Sequence, residues 1–325
     1  MRNQIVTVFG ASGLIGRHTV QALARAGYRI RACVRYPNLA EYLPPMGTVG
    51  QIQLLKCNVL DEEAVARAVQ GSTAVINLVG ILYPAGGQNY EDIHVEAPQT
   101  IARAAKAGGV ETLVHVTTMG IGPDSESNYS RSKAEGEIAL RGIFPDATLI
   151  KPSIVFGPED NFFNKFAWLA RISPILPLIG GGHTKFQPVF VGDVADAITK
   201  CVTDPATRGK TYELGGPAIY SFKEMLQAIL HATGRGNLLF PVPFWLASIK
   251  AFFLQFLPGK LLTPDQVTFL KTDNVVSPGA LTLKDLGIHP ESLEAILPTY
   301  LWRFRPKGQF ENSASERAIG APEIR

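Results

Sequence analysis

Charge is scarce in this 325-residue chain. Asp, Glu, Lys and Arg make up 18% of it, below the roughly 25% of an average soluble domain, while apolar residues reach 46%. A surface so short of charge predicts a partner. The net charge of +3 is too small to argue for nucleic acid, and no basic-aromatic interleaving of the kind that binds single strands is present. Cysteine is nearly missing as well: Cys33, Cys57 and Cys201 are odd in number, scattered and without metal-ligand spacing, which fits buried thiols in a reducing compartment. No metal centre is expected. Because Met1-Arg2-Asn3-Gln4 alone precede the first apolar run, no targeting segment is expected either, and the protein is expected to stay in the cytosol of the cell that makes it.

The apolar residues are arranged in alternation. Strands are predicted at 5–9, 29–34, 51–57, 73–79, 112–117 and 147–150, separated by helices at 14–26, 62–69, 90–107 and 130–141. Regular strand-helix alternation over about 150 residues is the mark of an α/β, Rossmann-type doubly wound parallel sheet. Beyond Pro152 the pattern loosens. Helices are predicted at 162–173, 194–203 and 222–233, with strands at 187–191 and 211–214, as in a smaller mixed lobe. The expected organisation is a nucleotide-binding core over 1–160 and a second lobe over 161–300, with elements near 186–215 returning to the core. An extended tail is expected over 301–325.

A glycine-rich turn, Gly10-Ala11-Ser12-Gly13-Leu14-Ile15-Gly16, lies between the first strand and the first helix. Such a turn brings a dinucleotide pyrophosphate onto backbone N–H groups at a helix N-terminus. Gly10 permits the turn, Gly13 lets backbone approach phosphate, and Gly16 allows close helix-strand packing. An NAD site would carry Asp or Glu near the end of the second strand, yet no acid occurs between Arg17 and Ala40. Arg17, Arg25, Arg29, Arg31 and Arg35 stand there instead. Arg25 and Arg29 read as a solvated basic edge, whereas Arg17 and Arg35 sit where a ribose phosphate would lie and can clamp it with forked hydrogen bonds. NADP(H) is therefore the expected cofactor.

Tyr129 and Lys133 are four residues apart and share a helix face. A lysine ammonium beside a phenol is expected to lower the phenol pKa and make it a proton donor or acceptor near a nicotinamide ring. Thr117 and Thr118, at the end of the fifth strand, are candidates for a further hydroxyl on a carbonyl oxygen.

These residues jointly resemble the extended short-chain dehydrogenase/reductase superfamily, specifically its atypical members. The resemblance covers about residues 4–215 and includes Asn77-Leu78-Val79-Gly80, Thr117-Thr118-Met119-Gly120, Tyr129 with Lys133, and the runs 151–158 and 190–195. It implies that Gly10, Ser12, Gly13, Leu14, Ile15 and Gly16 hold pyrophosphate, and that Asn58, Val59, Val79, Gly80, Pro152 and Ile154 flank the cofactor. Thr117, Tyr129 and Lys133 then lie on its nicotinamide side. Asn58 stands where active members usually carry an aspartate near adenine, and His94 where many carry an asparagine. An imidazole there either replaces the polar support or alters the active-site bridge.

More closely, the chain resembles the nucleotide-binding accessory subunits of respiratory complex I, NADH:ubiquinone oxidoreductase, through Arg17, Val34-Arg35 and the runs 113–137, 157–164 and 186–191. That resemblance implies a structural or assembly subunit with tightly held NADPH outside the electron-transfer chain and no expected catalytic residue. It also implies other complex I subunits as partners, near the junction of the peripheral and membrane arms. The matching location is the cytoplasmic side of a bacterial inner membrane. The alternative is a free NADP-dependent reductase or epimerase acting on a carbonyl, with Tyr129 as acid/base, Lys133 orienting the ribose, and Thr117 and Thr118 assisting.

One further stretch stands out. Residues 244–257 hold only three polar side chains in fourteen, but the run is too short for the roughly twenty apolar residues a bilayer-crossing helix needs. Either it packs in the second lobe, or it lies on a membrane surface or a membrane-bound partner, with Lys250 and Lys260 reaching for headgroups.

Overall fold

Strands as apolar as β1 (Ile5–Phe9) and β4 (Ala74–Asn77) need cover on both faces. In the computed structural model, which describes residues 4–255 and 263–308, helices supply it from either side of one parallel sheet. In chain order the core contains β1, α1 (Leu14–Arg25), β2 (Arg29–Val34), β3 (Ile52–Lys56), α2 (Glu62–Val69) and β4. A π-helical turn (Glu91–Glu96) then leads into α3 (Ala97–Ala107), β5 (Thr112–Val116), α4 (Asn128–Ile143) and β6 (Thr148–Pro152). Short β7 (Val155–Phe156), α5 (Phe163–Ile172), β8 (Ile175–Ile179), β9 (Lys185–Phe186) and β10 (Val189–Phe190) precede α6 (Val191–Thr203) and β11 (Thr211–Leu214). Then come β12 (Tyr220–Ser221), α7 (Phe222–Thr233), β13 (Leu238–Val242), α8 (Phe244–Leu254), α9 (Pro264–Phe269) and α10 (Leu293–Leu301).

The seven-stranded sheet runs β11-β6-β5-β4-β1-β2-β3, with every neighbouring pair parallel. Strand order reverses between β1 and β4, and the crevice outside their carboxyl ends is where open α/β sheets place ligands. Val20 and Leu23 of α1 and Val194 and Ile198 of α6 cover one face, packed on Val6 and Val8. Val65 of α2, Ile101 of α3 and Leu140 of α4 cover the other, packed on Phe9, Val75 and Leu113. The second lobe has its own core, in which Phe163, Leu176, Met225, Ile229, Ala247, Ala251 and Leu297 are buried. Its strands β8 and β13 pair in parallel from Ile175 with Leu238 to Ile179 with Val242.

Three of the departures from the sequence expectation bear on the site. The helix expected over 90–107 begins as a π turn, a form that marks functional sites more often than ordinary helix does. The strand expected over 187–191 shrinks to Val189–Phe190, because Gln187 turns its amide to Gly216 O at 2.8 Å and Val191 already opens α6. The strand expected over 147–150 runs on to Pro152, carrying the site segment along the sheet. In the apolar run, Ala247 and Ala251 of α8 face the lobe core while Trp245 and Phe253 are 65% and 66% exposed. Phe256, Leu257 and Lys260 lie outside the described residues, as does most of the expected tail. No helix among the described residues is long and apolar enough to cross a membrane.

Close backbone approach fixes how α4 meets the π turn. A Cβ at Gly136 would sit 1.8 Å from His94 O, which no local shift of a flexible side chain can relieve. Gly136→Ala is expected to destabilise the fold by at least about 1–3 kcal/mol, read as a lower urea midpoint at unchanged slope.

Candidate functional site

The glycine turn separates into glycines that the protein itself requires and one that it does not. Gly10 has φ +78°, and a Cβ there would press on Leu78 backbone at 3.0 Å. At Gly16 a Cβ would lie 2.2 Å from Gly10 O. Gly13 is different: it caps α1 in ordinary extended geometry (φ −72°, ψ 175°), and a Cβ would meet only Gly10 O at 3.4 Å. The fold would accept a small side chain at Gly13, so its bareness points to a ligand approaching the first turn of α1.

Next to it, Arg17 is held loosely. One Nη donates to Ser12 O at 3.4 Å, the other lies 3.6 Å from Glu159, and the guanidinium rests over the Tyr42 ring at 4.9 Å. Its Nε is buried without a hydrogen-bond partner. Arg35, exposed at the end of β2, donates to Gln88 Oε1 at 2.6 Å. Arg31, by contrast, is spent on the fold, donating to Ala68 O and Gln70 O. Asn58 is exposed, and its Oδ1 accepts from Leu60 N at 3.3 Å in a tight local turn, leaving its NH₂ free of that bond.

Behind the crevice lies a buried polar row. Asn77 donates from Nδ2 to His115 Nδ1 at 3.1 Å and accepts from Val79 N–H at 3.0 Å, which sets the backbone leading to Gly80. His94 Nε2 accepts from Ile81 N–H at 3.2 Å, so Nδ1 carries the proton and donates to Ser132 Oγ at 2.9 Å. Ser132 in turn donates to Tyr129 O at 3.0 Å. Burial, with Lys133 nearby, pushes the His94 pKa down to about 2 and that of His115 to about 3, so both rings are neutral. Of the two readings of His94, the structure shows the first: the imidazole is a polar bridge between the β4 loop and α4.

Lys133 is buried, and burial lowers its pKa to about 8. Glu137, one turn along α4, is taken by Lys151 at 2.6 Å, and Lys133 makes no ion pair among the described residues. A Cβ at Gly80 would lie 2.9 Å from its Nζ, which places the ammonium under the β4 loop. Tyr129 behaves against expectation. Its pKa is pushed up to about 12, first by burial and then by the Asp265 carboxylate, instead of being lowered by Lys133. Its ring is boxed edge-on by His94, Tyr90 and Phe269. Thr118 donates its hydroxyl to Pro152 O at 3.2 Å, whereas the Thr117 hydroxyl is buried and unpartnered.

A match to the family model of NAD dependent epimerases and dehydratases spans residues 6–215. The chain belongs to that family. It is 33% identical to the mitochondrial NADH dehydrogenase [ubiquinone] 1 alpha subcomplex subunit 9 of Arabidopsis thaliana, over 96% of this chain and 81% of that protein. It is 36% identical to the mouse protein of the same name, over 89% and 78% respectively. These alignments make it a homologue of the alpha subcomplex subunit 9 group. Among solved structures, an NADPH-dependent quinone oxidoreductase from Escherichia coli, complexed with NADPH, superimposes with a TM-score of 0.72 at 20% identity, covering 92% of this chain and 98% of that one. At that identity the likeness is one of fold.

Within this family frame, the site includes residues that local sequence reasoning missed. Asp265 of α9 accepts from Ser127 Oγ (3.0 Å), Asn128 N (2.7 Å) and Tyr129 N (3.1 Å), sealing the N-terminus of α4 from the second lobe. Asn274 donates to Met119 O and accepts from Ser153 Oγ, tying the loop after Thr117 and Thr118 to β6. Thr263 and Gln266 form a capping box at the start of α9, a pattern that marks a helix start in sequence, but no local pattern tells which other helix Asp265 caps.

Among the described residues Lys133 is a buried cation without an ion pair, a feature kept at a cost in stability. Lys133→Met should therefore stabilise the ligand-free chain, by at most about 3 kcal/mol. Below pH 8 Lys133 is charged in both folded and unfolded chains, and the cost is complete. Between about 8 and the ordinary 10.5 only the unfolded chain is charged, so stability rises with pH. The gap between wild type and Lys133→Met in chemical denaturation should shrink across that window and stay constant below it.

Proposed function

We propose that the chain is a nucleotide-stabilised accessory subunit of membrane-associated respiratory complex I, holding NADP(H) as a structural ligand and passing no electrons. The single observation that carries this reading is the similarity, at 33–36% identity over 89–96% of this chain, to subunits named for that complex. The site is compatible with it. Bare Gly13, the unpartnered Arg17 Nε and Thr117 Oγ1, and the buried Lys133 ammonium fit a dinucleotide, with pyrophosphate on the α1 N-terminus, ribose hydroxyls at Lys133 and Tyr129, and nicotinamide toward Thr117. When bound, NADP(H) would supply hydride chemistry; the protein's own side chains bind and orient it. Arg17 and Arg35, with no acid at the end of β2, favour a phosphorylated ribose. In this reading Val79 and Gly80, which follow β4, and Pro152 and Ile154, at and after the end of β6, would flank the cofactor, with Val59 beside Asn58 toward adenine.

A phenol raised to about 12 and boxed by three rings is a poor acid/base at neutral pH, which supports a holding role for Tyr129. Bound ligand adds to stability by mass action, which is how a nucleotide can hold a subunit together. The exposed apolar face of α8, with Lys250 beside it, supports a seat against an apolar or lipid surface on the cytoplasmic side of a bacterial inner membrane. The second reading, a free NADP-dependent reductase or epimerase, is favoured by the retention of Tyr129 and Lys133 on one face of α4.

Purification from solubilised membranes decides between them. The chain is expected to copurify with respiratory NADH dehydrogenase subunits, and recovery as a soluble monomer or dimer without them would overturn the accessory reading. Tyr129→Phe is expected to leave ubiquinone reduction per assembled complex within about twofold, since less than ~0.4 kcal/mol of barrier is at stake. Gly13→Val should leave the ligand-free fold within about 1 kcal/mol of wild type, abolish the rise in thermal midpoint on adding NADPH, and lower the amount of assembled complex.

A further inference from the structure

The loop from Gly157 to Asp160 joins the glycine-turn helix to the end of the chain, and its two acids do different work. Asp160 is only 2% exposed and fully committed. It accepts from Gly157 N, Phe163 N and Asn164 N, and from the Tyr300 hydroxyl of α10 at 2.7 Å. Pro158 O is pinned as well, accepting from Arg303 at 3.1 Å and Asn164 Nδ2 at 3.2 Å. Glu159 sits between these two anchors with a 45% exposed side chain, and among the described residues its carboxylate bonds no group of its own loop. Both of its oxygens nevertheless point to α1: Oε1 lies 3.6 Å from Arg17 Nη1, and Oε2 lies 3.5 Å from His18 Nε2.

Resting on the nucleotide reading above, we propose that Glu159 sets the site's selectivity between phosphorylated and unphosphorylated ribose by competing with the ribose phosphate for Arg17. The argument is one of charge and of loose geometry. Arg17 has one weak hydrogen bond to Ser12 O, an aromatic face beneath it and a long ion pair, so its guanidinium is positioned but not consumed. A phosphate monoester carries about −1.5 to −2 charge at neutral pH and accepts fork-like bonds from Arg better than a single carboxylate oxygen does. It displaces Glu159 from Arg17, and the freed carboxylate then repels it from a rigidly anchored loop. An unphosphorylated ribose neither needs Arg17 nor feels that repulsion. Glu159 therefore lowers affinity for the phosphorylated cofactor alone and narrows the preference that Arg17 and Arg35 create.

The test is calorimetric titration of the full chain with NADPH and with NADH, for wild type, Glu159→Gln, Arg17→Gln and the double variant. Glu159→Gln keeps the shape and removes the charge at an exposed position, and its unchanged thermal midpoint verifies folding. NADPH should bind roughly threefold or more tighter to Glu159→Gln, the size expected of one exposed charge pair, with NADH unchanged. In the Arg17→Gln background, Glu159→Gln should give a smaller gain. Weaker NADPH binding, no change, or equal tightening toward both nucleotides would overturn the role of Glu159 while leaving the nucleotide reading intact. Failure of wild type and Glu159→Gln alike to bind NADPH would overturn the nucleotide reading and the proposal with it.

Discussion

One carboxylate from the second lobe holds the site in shape. Asp265 sits on the N-terminus of α4 and takes hydrogen bonds from Ser127, Asn128 and Tyr129, where the helix leaves its first N–H groups unsatisfied and its dipole favours negative charge. Each such charge-assisted bond is worth about 1.5–3 kcal/mol when shielded from water. The consequence reaches beyond capping. The helix that carries Tyr129, Ser132 and Lys133 is positioned from outside the sheet, and the same α9 brings Phe269 against the Tyr129 ring. The phenol is thereby enclosed and raised in pKa, and the helix that carries it becomes part of a joint between two lobes.

The second organising constraint is backbone packed on backbone. Gly10 against Leu78, Gly16 against Gly10 and Gly136 against His94 are contacts that admit no side chain, and they draw β1, α1, β4, the π turn and α4 into one rigid frame. Against that frame Gly13 is conspicuous. Its backbone geometry is ordinary and a Cβ there would meet only Gly10 O, at 3.4 Å, so packing within the polypeptide does not demand glycine at this position. Among the described residues Lys133 is a buried cation without an ion pair, and the Thr117 hydroxyl is buried without a partner. Each of these two polar groups is a local cost in the isolated chain.

Much of this was legible in the residues. The Rossmann sheet followed from alternating periodicities, the turn from its glycines, and the placing of Tyr129 and Lys133 on one helix from their spacing, because each depends on neighbours only a few residues apart. The protonation of Tyr129 was not legible. It turns on Asp265 and on burial beneath Phe269, more than a hundred residues away in sequence. The division of the arginines was half visible: the absence of acids between Arg17 and Ala40 is a sequence fact, but that Arg31 serves the sheet while Arg17 stays loosely held required coordinates.

The apolar run after Pro243 shows the same boundary. Composition marked it as unusual, and the structure divides it into an inner face of Ala247 and Ala251 and an outer face of Trp245 and Phe253. The sequence alone determined the doubly wound fold, the nucleotide-type turn and the basic end of the second strand, since short-range periodicity and backbone sterics dictate them. The tertiary structure alone decided which glycine of the turn backbone packing does not require, which acid governs Tyr129 and which carboxylate faces Arg17. These depend on groups brought together from distant parts of the chain, where burial and charge act through space and leave no local pattern to read.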